Sequence, residues 1–330
     1  MSTAPAERIV VIGTSAGGAE TLRRVVAGLP ADLRAAIVVV MHLHPTADDF
    51  LAGLLERTGA LPARLARDGD SLVAGEILVA VPDRHLEVHG RTVAVTAGPR
   101  ENGFRPAVDT TMRTAADAFG AGAVGVVLSG MLDDGAFGLR RIRAAGGIGL
   151  VEDPASALYG DMPQAAIDAG GASEVHGTDD LAEAITRAVD AASAREEGTM
   201  TEHDGGPDHV IHADRIAGEL VTMACPSCGG NLWEQDASDD GPSAALQYRC
   251  RTGHRFSPTT LLTTQDGRIE DAMWGAYRAL LERAEMGERL ADRFGHQGIE
   301  RSQQRWSDLA GEARRRAEVL RQLLDEAATA

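Results

Sequence analysis

Residues 9–18 of the chain read Ile9-Val10-Val11-Ile12-Gly13-Thr14-Ser15-Ala16-Gly17-Gly18, a short apolar run that breaks into a glycine-rich turn. Four consecutive branched residues bounded by a turn are typical of a strand that is buried on both faces of a parallel sheet. The apolar side chains of residues 19–26 then recur at helical spacing. The stretch therefore predicts a strand, a tight turn and a helix, in that order.

Two kinds of site use this strand, turn and helix. A dinucleotide-binding turn needs G-x-G-x-x-G, and Ser15 stands where its middle glycine would be. The same residues match G-x-S-x-G, in which flanking glycines allow a sharp turn that exposes a nucleophilic hydroxyl at the start of a helix. The stretch favours a nucleophile at Ser15, while a phosphate-binding loop and a purely structural turn remain alternatives.

The composition excludes several classes of function. The length of 330 residues suits about two globular domains. The net charge of -17 argues against binding to nucleic acid or to an anionic membrane, which both attract basic surfaces. All 32 basic residues are arginine, so lysine-dependent phosphate loops and Schiff-base chemistry are excluded. No segment approaches the roughly 20 apolar residues of a membrane span, and no secretory signal is recognisable. We therefore expect no membrane insertion and a cytoplasmic location.

Strand and helix patterns alternate along the first two thirds of the chain. Further strands are predicted at 35–41, 76–81, 86–95 (a hairpin), 123–128 and 147–151, and further helices at about 48–57, 107–119, 139–145 and 180–192, with Asp161 as the N-cap of another. This order predicts an α/β fold, a doubly wound parallel sheet in a Rossmann-like three-layer arrangement. In such sheets the site lies outside the carboxyl ends of the strands.

Three residue types used in acyl transfer follow strands at that edge. Ser15, His42 and Asp134 each come immediately after a predicted strand. A serine hydroxyl becomes a nucleophile when a histidine takes its proton, and a carboxylate normally holds that histidine in one tautomer. Taken singly, each of these residues more often closes a turn, and His44 and Asp133 compete with their neighbours for the two roles. The combination nevertheless predicts a serine hydrolase.

Five motifs together resemble a known family. They are Ile12-Gly13-Thr14-Ser15-Ala16-Gly17-Gly18, the strand that ends in His42, Pro82-Asp83-Arg84-His85, Phe104-Arg105-Pro106-Ala107-Val108-Asp109 and Leu128-Ser129-Gly130-Met131-Leu132-Asp133-Asp134-Gly135. Their order and spacing are similar to those of the chemotaxis protein-glutamate methylesterase (CheB-type) catalytic domain, over about residues 6–192. The resemblance implies a doubly wound sheet and hydrolysis of glutamate γ-methyl esters on cytoplasmic helices of chemoreceptors, often with deamidation of glutamine. A methylated chemoreceptor or a related signalling protein is thus the expected partner.

The resemblance also implies the catalytic roles. Ser15 matches the family's nucleophile, His42 its base and Asp134, rather than Asp133, its orienting acid, with no cofactor for catalysis. Many members carry an N-terminal receiver domain whose phosphorylation relieves inhibition. Because the predicted sheet begins at about Arg8, we expect no receiver domain in this chain and regulation by a separate protein.

Supporting roles follow from the same match. Backbone N–H groups near Ala16, Gly17 and Met131 would hold the oxyanion. Family members often have threonine where this chain has Ala16, so only the backbone contribution remains there. His85 and Arg105 match motif positions, and substrate contact and structural hydrogen bonding are both open for them.

A second cluster of reactive residues lies in the last third of the chain. Cys225 and Cys228 form a C-x-x-C pair, and Cys250 is followed by His254. Three thiolates and one imidazole can close a tetrahedron around one ion, which predicts structural zinc in a ribbon-like module too small to fold without it. Trp233 and Tyr248 are expected in its core. The alternative is three reduced thiols and an unrelated histidine.

We expect four segments in the chain. They are a catalytic domain at 1–192, an acidic flexible linker at 193–214, the zinc-ribbon-like module at 215–262 and an α-helical hairpin at 263–330. The hairpin helices are predicted at about 268–294 and 300–327, with apolar stripes for packing or self-association. The alternative to an enzyme is a regulatory or scaffold module that retains the methylesterase fold, non-catalytic or differently targeted. A nucleotide-binding protein is the third possibility.

Overall fold

The computed structural model describes residues 5–43, 50–192, 218–236 and 246–327, in two units that divide between Leu261 and Leu262. The strands are β1 Ile9–Thr14, β2 Ala36–Met41, β3 Ala63–Leu65, β4 Ile77–Val79, β5 His85–His89, β6 Thr92–Thr96, β7 Ala123–Val127, β8 Ile148–Glu152, β9 Glu174–His176, β10 Glu219–Ala224, β11 Asn231–Asp236, β12 Leu246–Cys250 and β13 Arg255–Phe256. The helices are α1 Gly18–Gly28, α2 Phe50–Thr58, α3 Val108–Phe119, α4 Ala136–Ala144, α5 Asp161–Asp168, α6 Leu181–Ala191, α7 Pro258–His296 and α8 Glu300–Ala327.

Seven parallel strands form the central sheet, in the order β3-β4-β2-β1-β7-β8-β9. Gly13 of β1 lies opposite Val40 of β2 on one side and opposite Val127 of β7 on the other. The chain builds one half of the sheet through β2 and β4 and then returns beside β1, so the strand order switches there. The predicted doubly wound fold is confirmed, and the turn after β1 lies where ligands of such sheets bind.

Helices cover both faces of this sheet because β1 alternates its side chains between two cores. Val10 and Ile12 pack with α1, α2 and α6, whereas Ile9 and Val11 pack with α3, α4 and α5. All four side chains are fully buried, as the branched run predicts. Since each such burial contributes about 1.5–3 kcal/mol, the strand that leads into Ser15 is held firmly from both sides.

Some boundaries differ from the sequence prediction. Helix α4 begins before residue 139, directly after Gly135, whose φ is +100°. Asp161 is the first residue of α5, and the N-cap position belongs to Gly160. The edge strands β3 and β9 have three residues each, too few for a recognisable period. The predicted linker, 193–214, lies outside the described residues.

A four-stranded antiparallel sheet, β10-β11-β12-β13, closes the first unit. We call the described residues 218–236 and 246–261 the ribbon module. Its core consists of Cys225, Leu232, Tyr248, Cys250, Phe256 and Leu261. Tyr248 is buried as predicted, but Trp233 is only half-buried, because side chains alternate along β11 and Leu232 takes the inner position.

The second unit is the predicted helical hairpin. Helix α7 begins at Pro258, earlier than predicted, because Ser257 Oγ accepts the Thr260 N–H at 3.1 Å and caps it. A seam of small buried side chains joins the two helices: Ala284 and Ala291 on α7, and Ala310, Ala313 and Ala317 on α8. Among the described residues, every helix is too short or too polar to cross a membrane.

Candidate active site

The turn after β1 holds Ser15 at the carboxyl edge of the sheet. The Ser15 N–H donates to Ser129 O at 3.0 Å, which fixes the turn against the end of β7. Gly17 has a φ of +75°, and a Cβ atom there would lie 2.8 Å from the side chains of Leu158 and Tyr159. The turn therefore requires glycine at this position, as the G-x-S-x-G pattern suggests.

Ser15, His42 and Asp134 form one hydrogen-bonded series. His42 Nδ1 lies 3.1 Å from Ser15 Oγ, and His42 Nε2 lies 2.7 Å from Asp134 Oδ2. Because a carboxylate only accepts, the proton of the neutral ring belongs on Nε2, and Nδ1 carries the lone pair that can take the serine proton. Asp133, the competing acid, instead accepts the Thr260 hydroxyl at 2.7 Å. His44, the competing base, lies outside the described residues.

The Asp134 carboxylate is buried against the first residues of α3. Its Oδ2 accepts the Val108 N–H at 2.7 Å, and its Oδ1 accepts the Asp109 N–H at 3.1 Å. The N-cap residue Ala107 makes no side-chain cap bond, so Asp134 caps this helix from another part of the chain. Free N–H groups and the helix dipole both favour a negative charge at this position.

Residues 101–104 form a short turn that contacts both His42 and Asp134. We call Ser15, His42 and Asp134 the triad and this turn the triad turn. Phe104 stacks on the His42 ring at 3.7 Å between centroids, with an angle of 4° between the planes. Asn102 Nδ2 donates to Asp134 Oδ1 at 3.3 Å. The sequence motifs include Phe104 without assigning it this role, and they leave out Asn102. The one available signal is Asn102-Gly103, a dipeptide typical of tight turns with positive φ.

Asp109, the last residue of the fourth sequence motif, is a second buried carboxyl beside the triad, and the sequence assigned it no role. Its Oδ1 accepts the N–H groups of Gly135 at 2.9 Å and Gly138 at 2.7 Å, and its Oδ2 accepts Asn102 Nδ2 at 2.9 Å. Burial, and then the neighbouring charge of Asp134, raise the pKa of Asp109 well above its usual range. The raised pKa favours the neutral form of Asp109 in this buried pair of carboxyls.

The predicted oxyanion donors lie on two loops next to Ser15. Ala16 and Gly17 follow it directly, before α1 begins at Gly18. Within the described part of the chain, the N–H groups of Ala16, Gly17 and Met131 have no protein acceptor. Donors with this freedom are what a developing oxyanion needs.

Glu152 anchors these two loops at the carboxyl edge of the sheet, and it lies outside the five sequence motifs. Its buried carboxylate accepts the Ser129 N–H at 2.8 Å and the hydroxyls of Thr21 at 3.2 Å and Thr178 at 2.8 Å. Ser129 Oγ in turn donates to Ala16 O at 3.1 Å. The peptide after the nucleophile is thus held by a network that reaches the last residue of β8.

The fold agrees with what this chain is similar to. The family model of the CheB methylesterase matches residues 10–185. The chain belongs to the CheB methylesterase family. The resemblance seen in the five motifs is therefore confirmed.

Individual relatives of the family match the same half of the chain. A protein named protein-glutamate methylesterase/protein-glutamine glutaminase from Symbiobacterium thermophilum is 40% identical over 184 residues, 55% of this chain and 51% of the relative. One from Anaeromyxobacter dehalogenans is 43% identical over 183 residues, 55% of this chain and 54% of the relative. The chain thus spans about half the length of the curated relatives it matches. The crystal structure of the Thermotoga maritima CheB methylesterase catalytic domain is 32% identical, with a TM-score of 0.53, over 55% of this chain and 97% of that domain.

In this CheB methylesterase-family chain, the side chains of two other motif residues form hydrogen bonds within the protein. Arg105 donates to Asp83 Oδ1 at 2.9 Å and to Gly98 O at 2.8 Å. His85 Nε2 donates to Pro99 O at 2.8 Å, and burial lowers the pKa of this histidine, which favours its neutral form. Of the two possibilities left open for these residues, the contacts favour structural hydrogen bonding.

The ribbon module brings the four predicted metal ligands together. The ligand atoms of Cys225, Cys228, Cys250 and His254 all lie within 4.8 Å of one another. Cys228 Sγ is 3.7 Å from Cys250 Sγ, and His254 Nδ1 is 3.4 Å from the same sulfur. Ligands about 2.0–2.3 Å from a tetrahedral zinc ion have mutual separations of this size. The residues therefore fit a closed structural metal site.

Proposed function

We propose that this chain hydrolyses γ-methyl esters of glutamate side chains on cytoplasmic helices of a chemoreceptor or a related signalling protein. The observation that carries the proposal is the series Ser15, His42 and Asp134 in a chain of the CheB methylesterase family. Because the names of both relatives include glutaminase, deamidation of glutamine by the same residues is part of the proposal.

The first half of the reaction forms an acyl-enzyme. Ser15 Oγ attacks the ester carbonyl carbon while His42 Nδ1 takes the hydroxyl proton, and the charge of Asp134 stabilises the resulting imidazolium. The N–H groups of Ala16, Gly17 and Met131 are the proposed donors to the oxyanion. When the intermediate collapses, the carbon–methoxy bond breaks, His42 returns its proton to the leaving oxygen, and methanol departs.

The second half restores the serine. His42 Nδ1 takes a proton from a water molecule, whose oxygen attacks the acyl carbon. Collapse breaks the bond to Ser15 Oγ, which recovers its proton from His42. The glutamic acid side chain is released and loses its own proton to the solvent. With a glutamine substrate the same steps expel ammonia instead of methanol, and the product is again glutamate.

Exposed apolar side chains beside the nucleophile suit a helical substrate. Met131, Leu158 and Tyr159 are 50%, 73% and 43% exposed, and the last two lie next to Gly17. We propose that they contact the apolar stripe of a receptor helix, since helices are often recognised through such a stripe. Cytoplasmic helices as substrate would put the reaction in the cytoplasm.

Other partners remain predictions. A separate regulatory protein and self-association through α7 and α8 are still expected, and the net charge of -17 still argues against nucleic acid. No observation favours the non-catalytic or differently targeted scaffold, because the triad residues are all within hydrogen-bonding distance. The phosphate-loop alternative is disfavoured because Ser15 Oγ lies 3.1 Å from His42 Nδ1 in a chain of the CheB methylesterase family.

The proposal is tested by mass spectrometry of receptor peptides. Peptides that carry glutamate γ-methyl esters are incubated with the full chain, and we expect each to lose its methyl group while methanol accumulates. Peptides with glutamine at the same sites report deamidation separately. Unchanged ester peptides, with a correctly folded chain and receptors from the same cell, would contradict the proposed substrate.

We further propose that the ribbon module holds structural zinc. Cys225, Cys228, Cys250 and His254 would supply three thiolates and an imidazole nitrogen, with no open position for catalysis. The hydrogen bond between the two thiols lowers the pKa of Cys250 and raises that of Cys225, so the proton they share would leave when both bind the metal as thiolates. When bound, zinc would hold β10–β13 together and take no part in ester chemistry.

Elemental analysis checks the zinc prediction. We expect about one zinc ion per purified chain. The His254→Ala variant should lose most of this zinc, and its ribbon module should unfold at a lower temperature, because metal binding contributes to folding. His296→Ala, a histidine outside the cluster, is the matched control and should keep its zinc. Less than about half an equivalent in the unmodified chain would overturn the assignment.

A further inference from the structure

The triad turn is a small rigid element with two faces. Glu101 N–H donates to Phe104 O at 3.2 Å, and Phe104 N–H donates back to Glu101 O at 2.9 Å. Asn102 and Gly103 have φ values of +52° and +78°, the pair of left-handed residues of a type I′ turn. One face of the turn carries the contacts of Asn102 and Phe104 with Asp134 and His42.

The other face of the triad turn is bound by the ribbon module. Asn102 N–H donates to Arg255 O at 2.9 Å, and Ser257 N–H donates to Asn102 Oδ1 at 2.9 Å. Glu101 also pairs with Arg255 as an isolated parallel bridge. The Asn102 amide is therefore oriented from both sides: its oxygen accepts from the ribbon module, and its nitrogen donates to the buried carboxyls.

Electrostatics add to this contact. Gln247 Nε2 donates to Glu101 Oε1 at 3.5 Å, and Arg113 binds both oxygens of the same carboxylate. Burial alone would raise the pKa of Glu101, but the charges of Arg113 and Arg255 hold it well below its usual range. A buried anion of the catalytic domain is thus neutralised partly by a residue of the ribbon module.

The same part of the ribbon module carries half of the metal cluster. Cys250 N–H donates to His254 O at 3.0 Å, and Arg255 follows His254 directly in the chain. An ion bound by Cys250 and His254 would therefore fix the loop from which Arg255 and Ser257 reach the triad turn. Metal binding and triad geometry are joined through fewer than ten residues.

We propose that the ribbon module is a positioning clamp: it holds the triad turn so that the His42–Asp134 pair stays aligned with Ser15. This inference rests on the proposed hydrolytic function, because it concerns the reactivity of the same serine. Asn102 and Phe104 are positioning residues in this scheme, since they act through Asp134 and His42. The clamp makes the C-terminal module a requirement for efficient catalysis.

The test measures how fast a fluorophosphonate probe labels Ser15 in the full chain, which needs no receptor. Gln247→Glu places a carboxylate against Glu101, and Arg255→Ala removes the neutralising charge; each is expected to slow labelling about tenfold or more, because small misalignments of catalytic groups are costly. Arg251→Ala, the same charge change at an exposed site of the ribbon module, should label at the unmodified rate. Zinc content confirms that each variant keeps its module.

Two readouts separate positioning from general loosening. Hydrogen exchange in peptides covering 101–104 should rise in Gln247→Glu and after zinc removal by a chelator, and fall again when Zn²⁺ is returned. In Asn102→Ala the pH midpoint of labelling should move, because Asp134 loses a donor, whereas a merely structural change lowers the rate equally at every pH.

The outcomes distinguish the clamp from the proposed function. Slower labelling in the clamp variants supports the clamp even if receptor peptides keep their methyl groups. Unmodified labelling rates in both Gln247→Glu and Arg255→Ala would overturn the clamp and leave the methylesterase proposal intact. Faster labelling would also overturn it, because the ribbon module would then be obstructing Ser15 instead of supporting the triad.

Discussion

Replacing Ser15 with alanine is expected to slow methanol release from methylated receptor peptides by about a millionfold. Alanine removes the hydroxyl that the proposed acyl-enzyme requires, while the Ser15 N–H bond to Ser129 O and the turn itself do not need it. The variant should therefore fold normally and bind the substrate. Methanol release in single-turnover and steady-state assays measures the loss.

Ser302→Ala, on α8 in the second unit, is the control for the Ser15 variant and should keep full activity. Intact-mass analysis with the fluorophosphonate probe gives a second measurement, since only the chain with Ser15 should gain the adduct. Demethylation that continues in Ser15→Ala at more than a hundredth of the unmodified rate would show that another group performs the attack, and the triad assignment would then be wrong.

Asp134→Asn is expected to lower the rate constant of hydrolysis by about 10⁴-fold. The His42 Nε2–H and the N–H groups of Val108 and Asp109 all point at this carboxylate. An amide has one oxygen, so its NH₂ group must face some of these donors. If it faces His42, the ring adopts the other tautomer, and Nδ1 can no longer take the serine proton.

The same substitution should destabilise the fold by about 1–3 kcal/mol, because donors at the start of α3 lose their acceptor. Urea unfolding measures this effect separately from activity. Asp133→Asn is the matched control: Asp133 accepts the Thr260 hydroxyl, and an asparagine oxygen can do the same. If Asp133→Asn were the inactive variant and Asp134→Asn the active one, the orienting acid would have been misassigned.

The sequence predicted the triad because each member follows a buried strand of one parallel sheet. Apolar runs such as Ile9–Thr14 indicate strands without any tertiary information, and parallel strands bring their carboxyl ends to one edge. The topology therefore brings Ser15, His42 and the loop that carries Asp134 to one edge. The acid was chosen over Asp133 by resemblance, and the hydrogen bond of Asp134 with His42 agrees with that choice.

The supporting residues were not predictable, because their roles depend on contacts between distant segments. Glu152 is the last residue of an ordinary strand, and its function follows from Ser129, Thr21 and Thr178 arriving beside it. Asn102 has the sequence signature of a turn only. Its side chain matters because the ribbon module, more than 150 residues later, supplies the Ser257 N–H that orients it.

The buried Asp134 carboxylate has both a catalytic role and a structural role, so one substitution affects both. It orients His42 and also caps α3 through the N–H groups of Val108 and Asp109. If hydrolysis is no longer needed, substitution of Ser15 should change the stability of the fold little. Substitution of Asp134 should also destabilise the start of α3, because its first N–H groups lose their acceptor. Inactive descendants of this chain should therefore keep the acid and lose the nucleophile. Among related sequences, a retained Asp134 would therefore say little about whether hydrolysis persists, whereas a retained Ser15 would be informative.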